Sequence, residues 1–168
     1  AELLLIQALT PLKITLQKAA PQLEDTAANL ALALDGITSY GGAITATDVS
    51  VATADIAAVL QLTTGKVTAT VADAAATVLV AALADAKATD ALTLTVSTGT
   101  VAASDLKALD AKTSVAVDAD VADLVITGNA ADIKTVLAAT TINTAEDVKV
   151  IVTGTVSAAD ANIIAAAT

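Results

Sequence analysis

A short signature recurs along the chain and sets the size of whatever structural unit it builds. The segments Thr26-Ala-Ala-Asn29, Ala52-Thr-Ala-Asp55, Asp73-Ala-Ala-Ala76, Ala102-Ala-Ser-Asp105, Asn129-Ala-Ala-Asp132 and Ser157-Ala-Ala-Asp160 start 26, 21, 29, 27 and 28 residues apart. Four of them open with a good N-cap residue, and four carry Asp three positions later, a relative of the capping box. Apolar residues then follow at helical spacing: Leu30 and Leu34, Ile56 with Val59 and Leu60, Leu79 and Leu83, Leu106 and Leu109, Ile133 with Val136 and Leu137, Ile163 and Ile164. Each signature therefore predicts a helix of about three turns, too short to stand alone.

What such a helix leans on should be a strand. Ile44–Thr47, Val67–Val71, Leu92–Val96 and Val148–Val152 alternate strictly, as half-buried strands do, and Gly99, Gly128 and Gly154 punctuate the passage from strand to helix. The expected fold class is α/β: a solenoid of strand–helix coils of about 27 residues, with a stacked parallel sheet and right-handed crossovers. In the fifth unit both Val115–Val117 and Leu124–Ile126 qualify as the stacked strand. The likeness of Val125-Ile-Thr-Gly128 to Ile151-Val-Thr-Gly154 favours the second and leaves the first as an extra short strand.

Residues 1–25 stand outside the repeat. Leu3, Leu4, Leu5, Ile6 and Leu9 suggest a helix, Thr10-Pro11 reads as an N-cap with proline in the first turn, and Pro21 ends a second helical piece. The domain reading is thus a helical N-terminal cap or assembly segment over residues 1–25, then a solenoid of five to six coils over 26–168. A terminal apolar segment covers an open coil or binds a partner subunit; the last coil is expected to stay open to another. The sequence opens at Ala1 rather than Met, so whatever preceded it, including any signal peptide, is expected to have been removed.

Composition narrows the chemistry. His, Cys, Arg, Phe, Met and Trp are absent, whereas Ala contributes 43 and Thr 26 of 168 residues. The chain has no imidazole base, thiol nucleophile, guanidinium clamp or zinc ligand other than carboxylate. Its six Ser residues lack a base to activate them, and no nucleophile elbow or phosphate-cradling loop occurs, so no enzyme is expected. Small side chains instead suit a narrow coil packed to interior density. A net charge of −10 repels phosphate backbones and anionic membranes, which excludes nucleic acid as an expected partner. The longest apolar run, Val78–Ala84, has seven residues and cannot span a bilayer.

Three patterns qualify as candidate sites. Asp118, Asp120 and Asp123 put three hard oxygen ligands in one loop, a beginning of a calcium site that lacks the EF-hand glycine and distal Glu; solvated carboxylates are the default, and calcium is the one cofactor the sequence allows. Thr45 and Thr47, Thr68 and Thr70, and Thr93 and Thr95 should project from one face of three successive strands, a threonine array of the ice-binding type, although threonine is also simply a good exposed strand residue. Asp55, Asp105, Asp132 and Asp160 recur at one repeat position, where a favourable interaction with the helix dipole and free amides accounts for them.

The run from Thr100-Val-Ala-Ala-Ser-Asp-Leu-Lys-Ala-Leu-Asp-Ala-Lys-Thr113 through Val125-Ile-Thr-Gly-Asn-Ala-Ala-Asp-Ile133, with Ser157-Ala-Ala-Asp160, resembles the tandem Ala/Thr/Asp-rich repeats of large secreted or surface proteins of cyanobacteria and other marine bacteria. The resemblance is clearest over residues 91–168, looser over 44–90 and lost before about 25. It implies an extracellular array acting as a coat, stalk or adhesin spacer and carries over no functional residues. The expected function is a structural or self-assembling cell-surface element, partnered by further copies or further repeats; a calcium- or ice-binding module is the alternative.

Overall fold

The computed structural model describes residues 21–35, 37 and 40–168; the expected helical segment and its Leu3, Leu4, Leu5, Ile6 and Leu9 lie outside the described residues. Among the described residues the architecture is α/β, with six helices and parallel strands in sheets. The helices are α1 (Ala27–Leu34), α2 (Thr53–Leu62), α3 (Ala76–Ala82), α4 (Ala103–Asp110), α5 (Ala130–Ala138) and α6 (Ala158–Ala165). Five of the six N-caps fall on the first residue of the recurring signature: Thr26, Ala52, Ala102, Asn129 and Ser157. The exception is α3, whose cap is Ala75 rather than Asp73. Ala74 there bridges Val96 of the next unit, and this lateral pairing holds the backbone extended past the position where the side chain alone would start a helix.

The strands are β1 (Leu23–Asp25), β2 (Ile44–Ala46), β3 (Val67–Thr70), β4 (Ala91–Thr93), β5 (Thr100–Ala102), β6 (Val117–Ala119), β7 (Val125–Gly128), β8 (Ile142–Thr144) and β9 (Lys149–Val152). They form two walls. In the first, β1, β2, β3 and β4 pair in order. The Thr95–Asp118 bridge, with hydrogen bonds from the Asp118 amide to the Leu94 carbonyl and from the Val96 amide to the Asp118 carbonyl, joins this group to the β6–β8 pair. The second wall is β5, β7 and β9 in that order, anticipated in earlier units by the single bridges Val51–Val71 and Ala74–Val96.

Two expectations need correction. Residues 23–25, read as part of a helical segment, are strand β1, held in register by Leu23–Ile44 and Asp25–Ala46. Both strands of the fifth unit are stacked, in different walls: the segment around Val117, expected to be the extra one, continues the wall of β2, β3 and β4, whereas Val125–Gly128 belongs with β5 and β9. The alternation of Val148–Val152 accordingly marks the second wall and not the threonine-bearing first.

One hydrophobic core runs through all units. Alternate strand residues point inward, giving the paired columns Ile44–Val67, Ala69–Leu92, Val117–Ile142 and Val101–Ile126. Against them each helix lays a narrow apolar face, such as Leu106 and Leu109 of α4 or Ile133 and Val136 of α5. Successive helices also pack on one another, from α1 against α2 through α5 against α6. Gly99 turns the chain from the first wall into β5, not directly into a helix as its spacing suggested, and Gly154 makes the corner from β9 to α6; their φ of 117° and 79° is a backbone that L side chains avoid. The lone aromatic, Tyr40, is buried in the first described turn, and its hydroxyl donates to the Pro21 carbonyl.

Candidate functional surfaces

Alternation turns Thr45, Thr68, Thr70, Thr93 and Thr95 outward on the first wall, and Thr47 follows β2 on the same side. Strand register then decides their neighbours. Thr45 lies beside Thr68 and Thr70 beside Thr93, but Thr68 faces Ala91 and Thr95 faces Asp118. The array is therefore staggered by one pair of residues at the third strand, and Glu24 beside Thr45 interrupts its other edge. Six threonines share a face without forming two unbroken rows.

The aspartates of the fifth unit separate. Asp118 sits on the outer face of β6, where its carboxylate accepts the Asp120 amide at 3.1 Å. Asp120 and Asp123 instead line a cleft of about 420 Å³ together with Asp147 and Lys149. Asp123 has φ of 58° and lies 3.5 Å from the Lys149 ammonium. Among the described residues no three acidic side chains converge as a metal-ligating group.

Sequence reasoning missed a second use of the recurring aspartates. Asp132 in the first turn of α5 receives the Lys107 ammonium from α4, and Asp160 in the first turn of α6 receives Lys134 from α5. Each pair joins neighbouring helices. The Lys107 contact, then Asn129, holds the Asp132 carboxyl below its usual range, and Lys134 followed by Ser157 does the same for Asp160. The caps operate beside them, since Asn129 and Ser157 side chains accept the amides of Asp132 and Asp160 at 2.9 and 3.1 Å. The signal was present: Asp105-Leu-Lys107 and Asp132-Ile-Lys134 place a lysine two residues after the recurring acid, and Asn162 stands in that place in α6.

Three buried polar side chains also join units, at the turns from helix to first wall. Thr63 donates to the Gly42 carbonyl at 2.8 Å and accepts the Gly65 amide at 2.9 Å. Thr113 donates to the Leu92 carbonyl at 2.8 Å and accepts the Leu92 and Val115 amides. Asp90, fully buried, accepts the Val67 and Lys87 amides at 2.8 Å each. Burial of such groups is tolerated because each is hydrogen-bonded, and what they bond is mainly the backbone of an adjacent unit.

No helix among the described residues is long and apolar enough to cross a membrane. No protein-family model, curated protein or solved structure matches the chain.

Proposed function

We propose that this protein is a structural, non-enzymatic repeat element: an α/β solenoid that self-assembles as part of an extracellular or cell-surface coat, filament, stalk or adhesin spacer. The observation that carries the reading is the repetition of the same contact from unit to unit. Lys107–Asp132 and Lys134–Asp160 are one interaction made twice, and the Thr63 and Thr113 contacts are another. Side chains able to do chemistry are spent on holding neighbouring units in register, which suits a load-carrying stack. The acidic surface, with a net charge of −10, keeps such a stack soluble and away from anionic partners.

Size-exclusion chromatography with light scattering over a wide concentration range tests the reading. Oligomers or chains that grow with concentration are expected; a monomer at every concentration contradicts self-assembly.

A further inference from the structure

We infer that the face formed by β8, β9 and α6 receives residues 1–20 of a second copy of this chain; the inference rests on the self-assembly proposed above and names the two surfaces that meet. On this face, among the described residues, β8 pairs only with β6 and β9 only with β7, so each strand has an edge without a described strand partner. Such edges are ready to accept another chain. The inward residues Val150 and Val152 are only half-covered, and Ile151, Val156 and Ile163 are 55%, 42% and 55% exposed.

Charge selects the occupant. Glu146 and Asp147 lie exposed beside β9, and an acidic chain offers few surfaces that would meet them favourably. Residues 1–20 are the exception: Lys13 and Lys18 outnumber Glu2, while eight of the twenty residues are Leu or Ile. A further unit of the same pattern fits less well. It would bring a first-turn aspartate to the place where α4 and α5 offer Lys107 and Lys134, and α6 offers Asn162 there. An uncharged Asn162 leaves room for a segment that carries its own lysines.

Sequence cost along the connection favours a second copy. Six strands of the first wall at roughly 4.8 Å place β8 about 24 Å from β1. To reach its own far face, the segment would use about seven residues as extended connection. Those adjoining Pro21 include Ile14, Leu16 and Lys18, part of the apolar and basic character that fits the face.

The absence of native cysteine makes the test direct. Leu5→Cys and Ile163→Cys copies are mixed under mild oxidation, beside light scattering of the full chain, of a chain lacking residues 1–20, and of Lys13→Glu/Lys18→Glu. The expected result is a mixed disulfide dimer, with self-association weakened at least about tenfold by the truncation and by the charge reversal. Self-association that survives the truncation, without the mixed disulfide, overturns the occupant and leaves self-assembly standing. A full chain that never associates overturns both, and an intramolecular disulfide in the Leu5→Cys/Ile163→Cys double variant, with no mixed dimer, shows that the segment folds back on its own copy and overturns the inference.

Discussion

Thr63 and Thr113 lie two units apart and share three contacts: each hydroxyl donates to the carbonyl 21 residues earlier at 2.8 Å, lies near the carbonyl 23 residues earlier, and accepts the amide two residues later. The equivalence identifies a repeated internal joint. Replacing Thr113 by Val keeps the shape but leaves the Leu92 and Val115 amides without this acceptor in a buried turn. Stability should fall by about 1–3 kcal/mol, with Thr113→Ser recovering most of it. Urea denaturation followed by circular dichroism measures both; a neutral Thr113→Val would show that the hydroxyl is not a joint.

Asp90 holds the intervening joint through two amide contacts and no described ion pair. Asn in its place has one acceptor oxygen and turns a donor toward the second amide. We expect Asp90→Asn to cost about 1–3 kcal/mol, read from the shift of the denaturation midpoint at unchanged slope.

Capping gives a prediction of the opposite sign. Ala52 caps α2 with extended backbone, φ −60° and ψ 148°, but has no side chain able to accept an amide. Ala52→Ser should raise stability by about 0.5–1 kcal/mol, whereas Asn129→Ala, which removes an existing cap, should lower it by about 1 kcal/mol. Thermal melts of the two variants should move in opposite directions.

The inter-helix pairs predict an acid limb. Asp132 and Asp160 are shifted below the usual value of 3.8, so their contribution is present above that pH and is lost as pH falls through their depressed folded-state values. Stability measured by urea denaturation should therefore decline with acidification below about pH 3.8. In Lys107→Met/Lys134→Met the decline should be shallower, and stability near pH 7 should change little, because partly exposed pairs are screened. An unchanged acid limb in that variant would separate the pairs from the decline.

Much of this architecture was legible in the primary sequence, and the illegible parts have physical causes. Helix starts could be placed because a cap, an acid three residues on and a 3.6-residue apolar period are local signals, as at Asn129 and Ser157. β1, β5 and β8 are three residues each, too short for alternation to register; with β5 missed, β7 and β9 read as members of the same stack as β2, β3 and β4, and the second wall went unseen. At Asp73 the local cap signal lost to lateral pairing of Ala74. Asp118, Asp120 and Asp123 are close in sequence yet point to different surroundings, because Asp118 belongs to a strand and the others to a loop. Thr63 and Thr113 could not be distinguished from two dozen other threonines, since what sets them apart is burial against the preceding unit.

The account depends most on stacked, interchangeable units, and deleting one tests it directly. Removing residues 103–129 joins Ala102 to Ala130 and takes out α4, β6 and β7, leaving β4 to meet β8 and β5 to meet β9 through the same faces. Circular dichroism during urea denaturation should show a folded α/β protein with a lower midpoint and a denaturant slope reduced by roughly a sixth, in proportion to the surface removed. A chain that fails to fold would contradict modular stacking and the scaffold function built on it.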